Sequence, residues 1–207
     1  MRGMDKERRT LQTKIEIRKV ENDNGELPYI EGYALKFGTR SENMGGFVEM
    51  LSKNCLDKTD MSNVVALYNH NESYPLARNT VPSGAGSLEL KVDDIGLYFR
   101  SIPTETTYAK DLITNLDAGV VGQCSFAFTL AQNGSEWIWD EDDQVYIRTI
   151  TAIERLWDIS IVTTPAYPDT EADTAKRDLE EFKKTQKNEL DEVRKRKLAI
   201  ELELLEG

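Results

Sequence analysis

The sequence predicts an α+β, mainly β fold: a β-rich domain over residues 13–168 and a helical extension over residues 169–207. Three observations carry that expectation. Short segments that alternate apolar and polar residues recur from Thr13 to Thr163, separated by turns bearing Gly, Asn or Asp. Only Thr104 to Gly119 within that span has helical periodicity bounded by start and stop signals. From Asp169 the composition changes, and residues 170–206 contain neither Gly nor Pro but are rich in Glu, Lys, Leu and Arg.

Taken in order, residues 1–12 are charged and are expected to be disordered. Thr13–Val20 alternates as a half-buried strand, Asn22–Gly25 is a turn signal, and Tyr29–Phe37 is the return strand of a hairpin. Gly32 within it marks a bulge or tight bend. Gly45–Leu51 fits either a short strand or a helical turn. Val64–Tyr68 suits a strand buried on both faces, and it delivers His70 at its C-terminal end. Residues 81–86 form a loop, Ser87–Val92 and Leu97–Ile102 pair around the Asp93–Gly96 turn, and Thr104 is a candidate helix cap. Tyr108, Leu112, Ile113 and Leu116 share one helical face, which Ala118–Gly119 terminates. Val120–Leu130, Glu136–Trp139, Val145–Ile153 and Leu156–Thr163 are the remaining strands, and Pro165 and Pro168 end the ladder. In the tail, Leu179, Phe182, Leu190, Val193, Ile200 and Leu204 form an apolar stripe interrupted by Gln186 and Lys197. The stripe fits a solvated helix with an apolar edge, or a coiled-coil or partner-docking tail.

Composition narrows the function. Net charge is −11, with 26 Lys and Arg against 37 Asp and Glu, which argues against a nucleic-acid partner. No apolar run approaches the roughly 20 residues that cross a bilayer, so no membrane partner is expected, and the charged start is not that of a secretory signal. One histidine and two cysteines without ligand spacing predict no metal site, no cofactor and no disulfide framework, and favour a reducing compartment. The acidic run 140–143 lacks the ordered spacing of a calcium loop.

Three stretches bear chemistry. Gly122–Phe128 carries Ser125 and Cys124 in a strand-like run, His70 is the sole histidine, and Asp158 is embedded among Leu156, Trp157, Ile159 and Ile161. Serine, histidine and carboxylate are the parts of an activated nucleophile. Neighbouring strand residues point to opposite faces, so only one of Cys124 and Ser125 can meet the histidine. Phe126 and Phe128 share the parity of Cys124, which assigns Cys124 to packing and turns Ser125 outward. A carboxylate in an apolar strand needs a partner. The His70 ring is one and Arg155 or Arg148 is another; Glu154, which shares the parity of Asp158, is a weaker candidate for the acid beside His70.

Tyr33-Ala34, Asn69-His70, Gly122–Phe128 and Trp157–Tyr167, in that order, resemble the prohead proteases of tailed phages, which share their fold with the herpesvirus assembly proteases. The resemblance covers residues 13–170. It implies a serine endopeptidase on a small closed β-barrel surrounded by helices. Such an enzyme is packed into the immature capsid in the host cytoplasm, where it cuts scaffold or the scaffolding segment of the major capsid protein, and itself. Self-association is a further partnership to expect. Position by position, Ser125 matches the nucleophile and His70 the general base. Asp158 falls where the herpesvirus enzymes carry a second histidine and many phage members an acid. The herpesvirus arginine motif has no counterpart in Thr163-Thr164-Pro165. The rival reading is a non-catalytic capsid-assembly or scaffold protein that works through its helical tail.

Overall fold

The computed structural model describes residues 6–11, 15–22, 25–163 and 172–206. They fall into two units, one up to residue 171 and the other from residue 172 onward. Among the described residues the first holds twelve strands and one helix: β1 (Lys6–Leu11), β2 (Glu16–Asn22), β3 (Gly25–Lys36), β4 (Phe47–Leu51), β5 (Val65–Tyr68), β6 (Asn71–Arg78), β7 (Leu88–Val92), β8 (Gly96–Ser101), α1 (Thr107–Asp117), β9 (Gln123–Leu130), β10 (Ser135–Asp140), β11 (Val145–Ile150) and β12 (Ile153–Val162). The second is the single helix α2 (Asp173–Glu206), whose 34 residues span about 51 Å. Leu190, Val193, Leu198 and Ile200 on it are exposed.

A mainly β domain with a C-terminal helix is what the alternating pattern predicts; the closed barrel is not. Among the described residues the strands form three open sheets, ordered β1-β9-β12-β5-β6, β10-β11-β4 and β2-β3-β8-β7. Closure requires the two edges of a sheet to pair, and here β1 and β6 remain the separate edges of the largest sheet. The interior is closed by packing instead. Ile30 and Leu35 of β3, Phe99 of β8, Leu112 of α1, Phe126 and Phe128 of β9 and Ile159 of β12 share one buried cluster. Burial of such side chains stabilises by about 1.5–3 kcal/mol each, which an open sheet obtains as readily as a barrel.

The disordered start expected over residues 1–12 is corrected for residues 6–11, because Lys6–Leu11 is strand β1, antiparallel to β9 with Thr10 opposite Ser125, and the rest of that start lies outside the described residues. Its polarity does not free it, since Glu7 and Arg9 are buried in an ionic cluster. Arg9 Nε is 2.6 Å from Glu49 Oε1 of β4, and Arg148 Nη1 of β11 is 2.8 Å from Glu7 Oε2 and 2.9 Å from Glu49 Oε2. Strand β1 thus joins the five-stranded sheet to the three-stranded one.

Elsewhere the pattern holds with shifts of a few residues. Helix α1 begins after Thr106 rather than Thr104, and no side-chain cap bond forms. Its end is as expected, with Gly119 in the left-handed region at φ +71°. Gly45–Leu51 resolves into β4, parallel to β11. The β3 irregularity lies between Tyr33 and Leu35, close to Gly32. The glycine that sheet geometry demands is Gly96, where a Cβ would stand 2.0 Å from the Leu35 carbonyl oxygen. The Asn22–Gly25 turn is only partly covered, and the closing residues Thr164–Pro168 lie outside the described residues.

Candidate active site

The centre of the five-stranded sheet is β12, flanked by β9 and β5. Strand β9 runs antiparallel to it with Ser125 opposite Ser160, and β5 runs parallel with Leu67 opposite Ser160. Three sequence-distant segments therefore converge at one level of the sheet: Ser125 on β9, Asp158 and Ser160 on β12, and His70 in the turn after β5.

His70 reaches this point through a two-residue hairpin. Tyr68 pairs with Asn71, and both intervening residues have positive φ, Asn69 at 54° and His70 at 54°. That is the signature of a type I′ turn, which favours Asn at its first position and ordinarily Gly at its second. A histidine there carries strain of about 1–3 kcal/mol that the surroundings must hold in place. They do so at several points. The Asn69 backbone N–H donates to the Ile161 carbonyl at 2.9 Å, and the Asn69 Oδ1 accepts from the Thr163 N–H at 2.9 Å. The His70 N–H donates to Ser160 Oγ at 3.2 Å.

Asp158 is aimed by a bulge. Across β9, Leu156 faces Phe128 while Asp158 faces Ala127, so Trp157 is the extra residue. Two positions along β12 thus count as one along its partner. Leu156 enters the apolar core and Asp158 turns towards His70, although strict alternation would put both on one face. A second bulge between Ile153 and Arg155 leaves Glu154 exposed, which removes it as the alternative acid.

The geometry then reads outward from the carboxylate. Asp158 Oδ1 stands 2.5 Å from His70 Nδ1 and accepts from Ser160 Oγ at 2.9 Å. A carboxylate only accepts, so Nδ1 carries the proton and Nε2 presents a lone pair. His70 Nε2 lies 2.6 Å from Ser125 Oγ, whose hydroxyl donates to it. The other carboxylate oxygen, Oδ2, is 3.0 Å from Lys6 Nζ. Burial alone would raise the Asp158 carboxyl, but the hydrogen bond and charge of His70, with Lys6, outweigh it and hold the group below its ordinary range.

All three expected residues are brought together, and their rivals are not. Cys124 lies in the apolar core with Phe126 and Phe128, as parity predicts, and burial raises its thiol far above the range of a reactive thiolate. Ser125 does face away from that side, yet it is buried as well, because both faces of β9 are covered. Arg155 pairs with Asp60 at 3.5 Å and Arg148 belongs to the Glu7–Glu49 cluster, so neither satisfies Asp158. Ser160 and Lys6 were not anticipated. A polar residue two positions after Asp158 in an otherwise apolar strand is a faint signal for Ser160, whereas nothing local points to Lys6. Among the described residues no group of acidic, His and Cys side chains is arranged to hold a metal ion.

Comparison with known proteins decides the family. The profile of the caudovirus prohead serine proteases matches residues 13–185. The chain belongs to that family. It is accordingly a serine protease, of the kind that matures phage capsids. No curated protein matches it in sequence. Among solved structures it is similar to the capsid assembly protease of bacteriophage T4, at 14% identity and a TM-score of 0.48, over 75% of this chain and 98% of that one.

Proposed function

We propose that the chain is a serine endopeptidase that cleaves scaffold, or the scaffolding segment of the major capsid protein, during prohead maturation, using Ser125, His70 and Asp158. The observation that carries the mechanism is the unbroken relay from Ser125 Oγ to His70 Nε2 at 2.6 Å and from His70 Nδ1 to Asp158 Oδ1 at 2.5 Å. The first separation suits proton transfer without rearrangement, and the second suits a charge-assisted hydrogen bond that orients the imidazole. His70 takes the hydroxyl proton as Ser125 Oγ attacks the peptide carbonyl, and the resulting imidazolium is stabilised by the Asp158 carboxylate. The tetrahedral intermediate collapses as His70 returns the proton to the leaving amine. Water, deprotonated by His70, then hydrolyses the acyl-enzyme. Asp158 stays ionised throughout and fixes the tautomer, which its lowered carboxyl favours.

Membership of the family supports a site of action inside the immature capsid; self-cleavage as a second reaction and the host cytoplasm as the setting are part of the same proposal. The exposed apolar residues of α2 support a docking role for that helix towards scaffold or capsid precursor.

The test is incubation of the purified chain, beside Ser125→Ala, with its cognate scaffold and capsid precursor, followed by intact mass. Defined fragments from the wild type alone are expected, and their ends give the cleavage specificity. Identical fragments from Ser125→Ala would refute the assignment.

A further inference from the structure

We propose that Lys6, on the first described strand, is a positioning residue for the catalytic array: it pins the Asp158 carboxylate and sets the charge that His70 works against. The inference rests on the Ser125–His70–Asp158 reading above. Asp158 is 1% exposed and its two oxygens are unequally served. Oδ1 takes both hydrogen bonds, from His70 and from Ser160. Oδ2 is buried, and what serves it among the described residues is the Lys6 ammonium, 3.0 Å away as an ion pair. A carboxylate held at one oxygen can swing about its last bond. A cation at the other oxygen removes that freedom and keeps Oδ1 on the imidazole.

The placement of Lys6 is itself built. Its Cα pairs with Thr129 in the β1–β9 ladder, and its ammonium lies 5.8 Å from the Trp157 ring centroid. Trp157 is the bulged residue that turns Asp158, and its Nε1 donates to Thr129 Oγ1 at 2.7 Å. One and three residues further along the strand, Glu7 and Arg9 anchor β1 in the buried cluster with Glu49 and Arg148. Lys6, whose side chain is 36% exposed, therefore does not depend on its contact with the buried Asp158 to stay in place.

The charged and titratable groups facing Asp158 are Lys6 from β1 and His70 from the β5–β6 turn; the Cys124 thiol of β9 lies in the apolar core and feels the carboxylate only through its charge. With Lys6 present, proton uptake by His70 takes the Lys6–Asp158–His70 set from neutral to a net charge of +1. Without it, the same step goes from −1 to neutral. Loss of Lys6 must therefore make the imidazole hold its proton to higher pH.

The chain's single histidine makes this directly readable. The imidazole proton resonances of untagged Ser125→Ala, which cannot digest itself, are titrated beside Ser125→Ala carrying Lys6→Met, Lys6→Gln or Lys6→Arg. Met and Gln should raise the imidazole midpoint by about 0.5–1 pH unit, as expected for loss of one charge several Å away at a half-exposed site, and Arg should restore it. In the Ser125 background, the plateau rate of modification by a fluorophosphonate should fall about tenfold for Lys6→Met and recover with Arg. Whichever of the Met and Gln variants keeps its sheet circular dichroism serves the comparison. An unmoved midpoint would overturn the role of Lys6 while leaving the triad intact. Cleavage of the precursor by Ser125→Ala would instead remove the triad reading on which it rests.

Discussion

At one end of β1, Lys6 faces Asp158; along the same strand, Glu7 and Arg9 enter the cluster completed by Glu49 and Arg148. The two networks meet along one strand, yet they differ in what their charges are free to do. The cluster sets two carboxylates against two guanidiniums. Burial works against each charge, but the partners prevail: Glu7 is pushed below the ordinary carboxyl range, Arg9 and Arg148 above theirs. Glu7, Arg9 and Arg148 thus keep their charges near neutral pH, and the cluster holds strands together. The Ser125–His70–Asp158 array contains one group whose ordinary titration lies near neutrality, and it ends on a hydroxyl that can give up its proton. A saturated network supports; one with a movable proton reacts.

The largest expected effect breaks the reactive network. Ser125→Ala and His70→Ala should each lower proteolysis on the order of 10⁶-fold, and Asp158→Asn on the order of 10⁴-fold. In each case circular dichroism should stay native, as kinetic assay beside thermal unfolding will show. The same truncation applied to the other network should do the opposite. Arg148→Met leaves Arg9 as the single cation between Glu7 and Glu49, so one buried carboxylate loses its balance, and should cost about 3–5 kcal/mol of stability by urea unfolding. A Glu7→Gln, Arg148→Met double variant should recover part of that loss, because it leaves Arg9 and Glu49 as a balanced pair.

Much of this contrast was legible in the sequence on one side only. His70 was identifiable because it is the sole histidine, Ser125 because Cys124 shares the parity of two phenylalanines, and Asp158 because an isolated acid in an apolar strand demands a partner. The supporting groups were hidden. Lys6 and Glu7 sit in a segment whose polarity reads as solvated, and only the pairing of β1 with β9 brings them inside. Bulges hid more: alternation puts Leu156 and Asp158 on one face and gives Glu154 equal standing, and both inferences fail where β12 carries an extra residue. The closed barrel came from family resemblance rather than from any strand pattern, and edge pairing is a long-range property that local alternation does not encode.

A smaller effect sharpens the comparison with pH. Asp158 and Glu7 both have carboxyls lowered in the folded chain from ordinary values of 3.8 and 4.5. Each therefore contributes stability that is fully present above its ordinary value and lost as pH falls through the lower, folded one. Thermal unfolding should be flat from neutrality to about pH 5 and decline below about pH 4. Asp158→Asn should remove only its share of that acid slope, leaving the share of Glu7.

The most direct test of the central claim is to label the chain with a fluorophosphonate and map the adduct by peptide mass, using wild type, Cys124→Ala, Ser125→Ala and His70→Ala. A single adduct on Ser125 in the wild type and in Cys124→Ala, absent from the other two, is the predicted result. An adduct on any other residue, or labelling of Ser125 that persists without His70, would contradict the account.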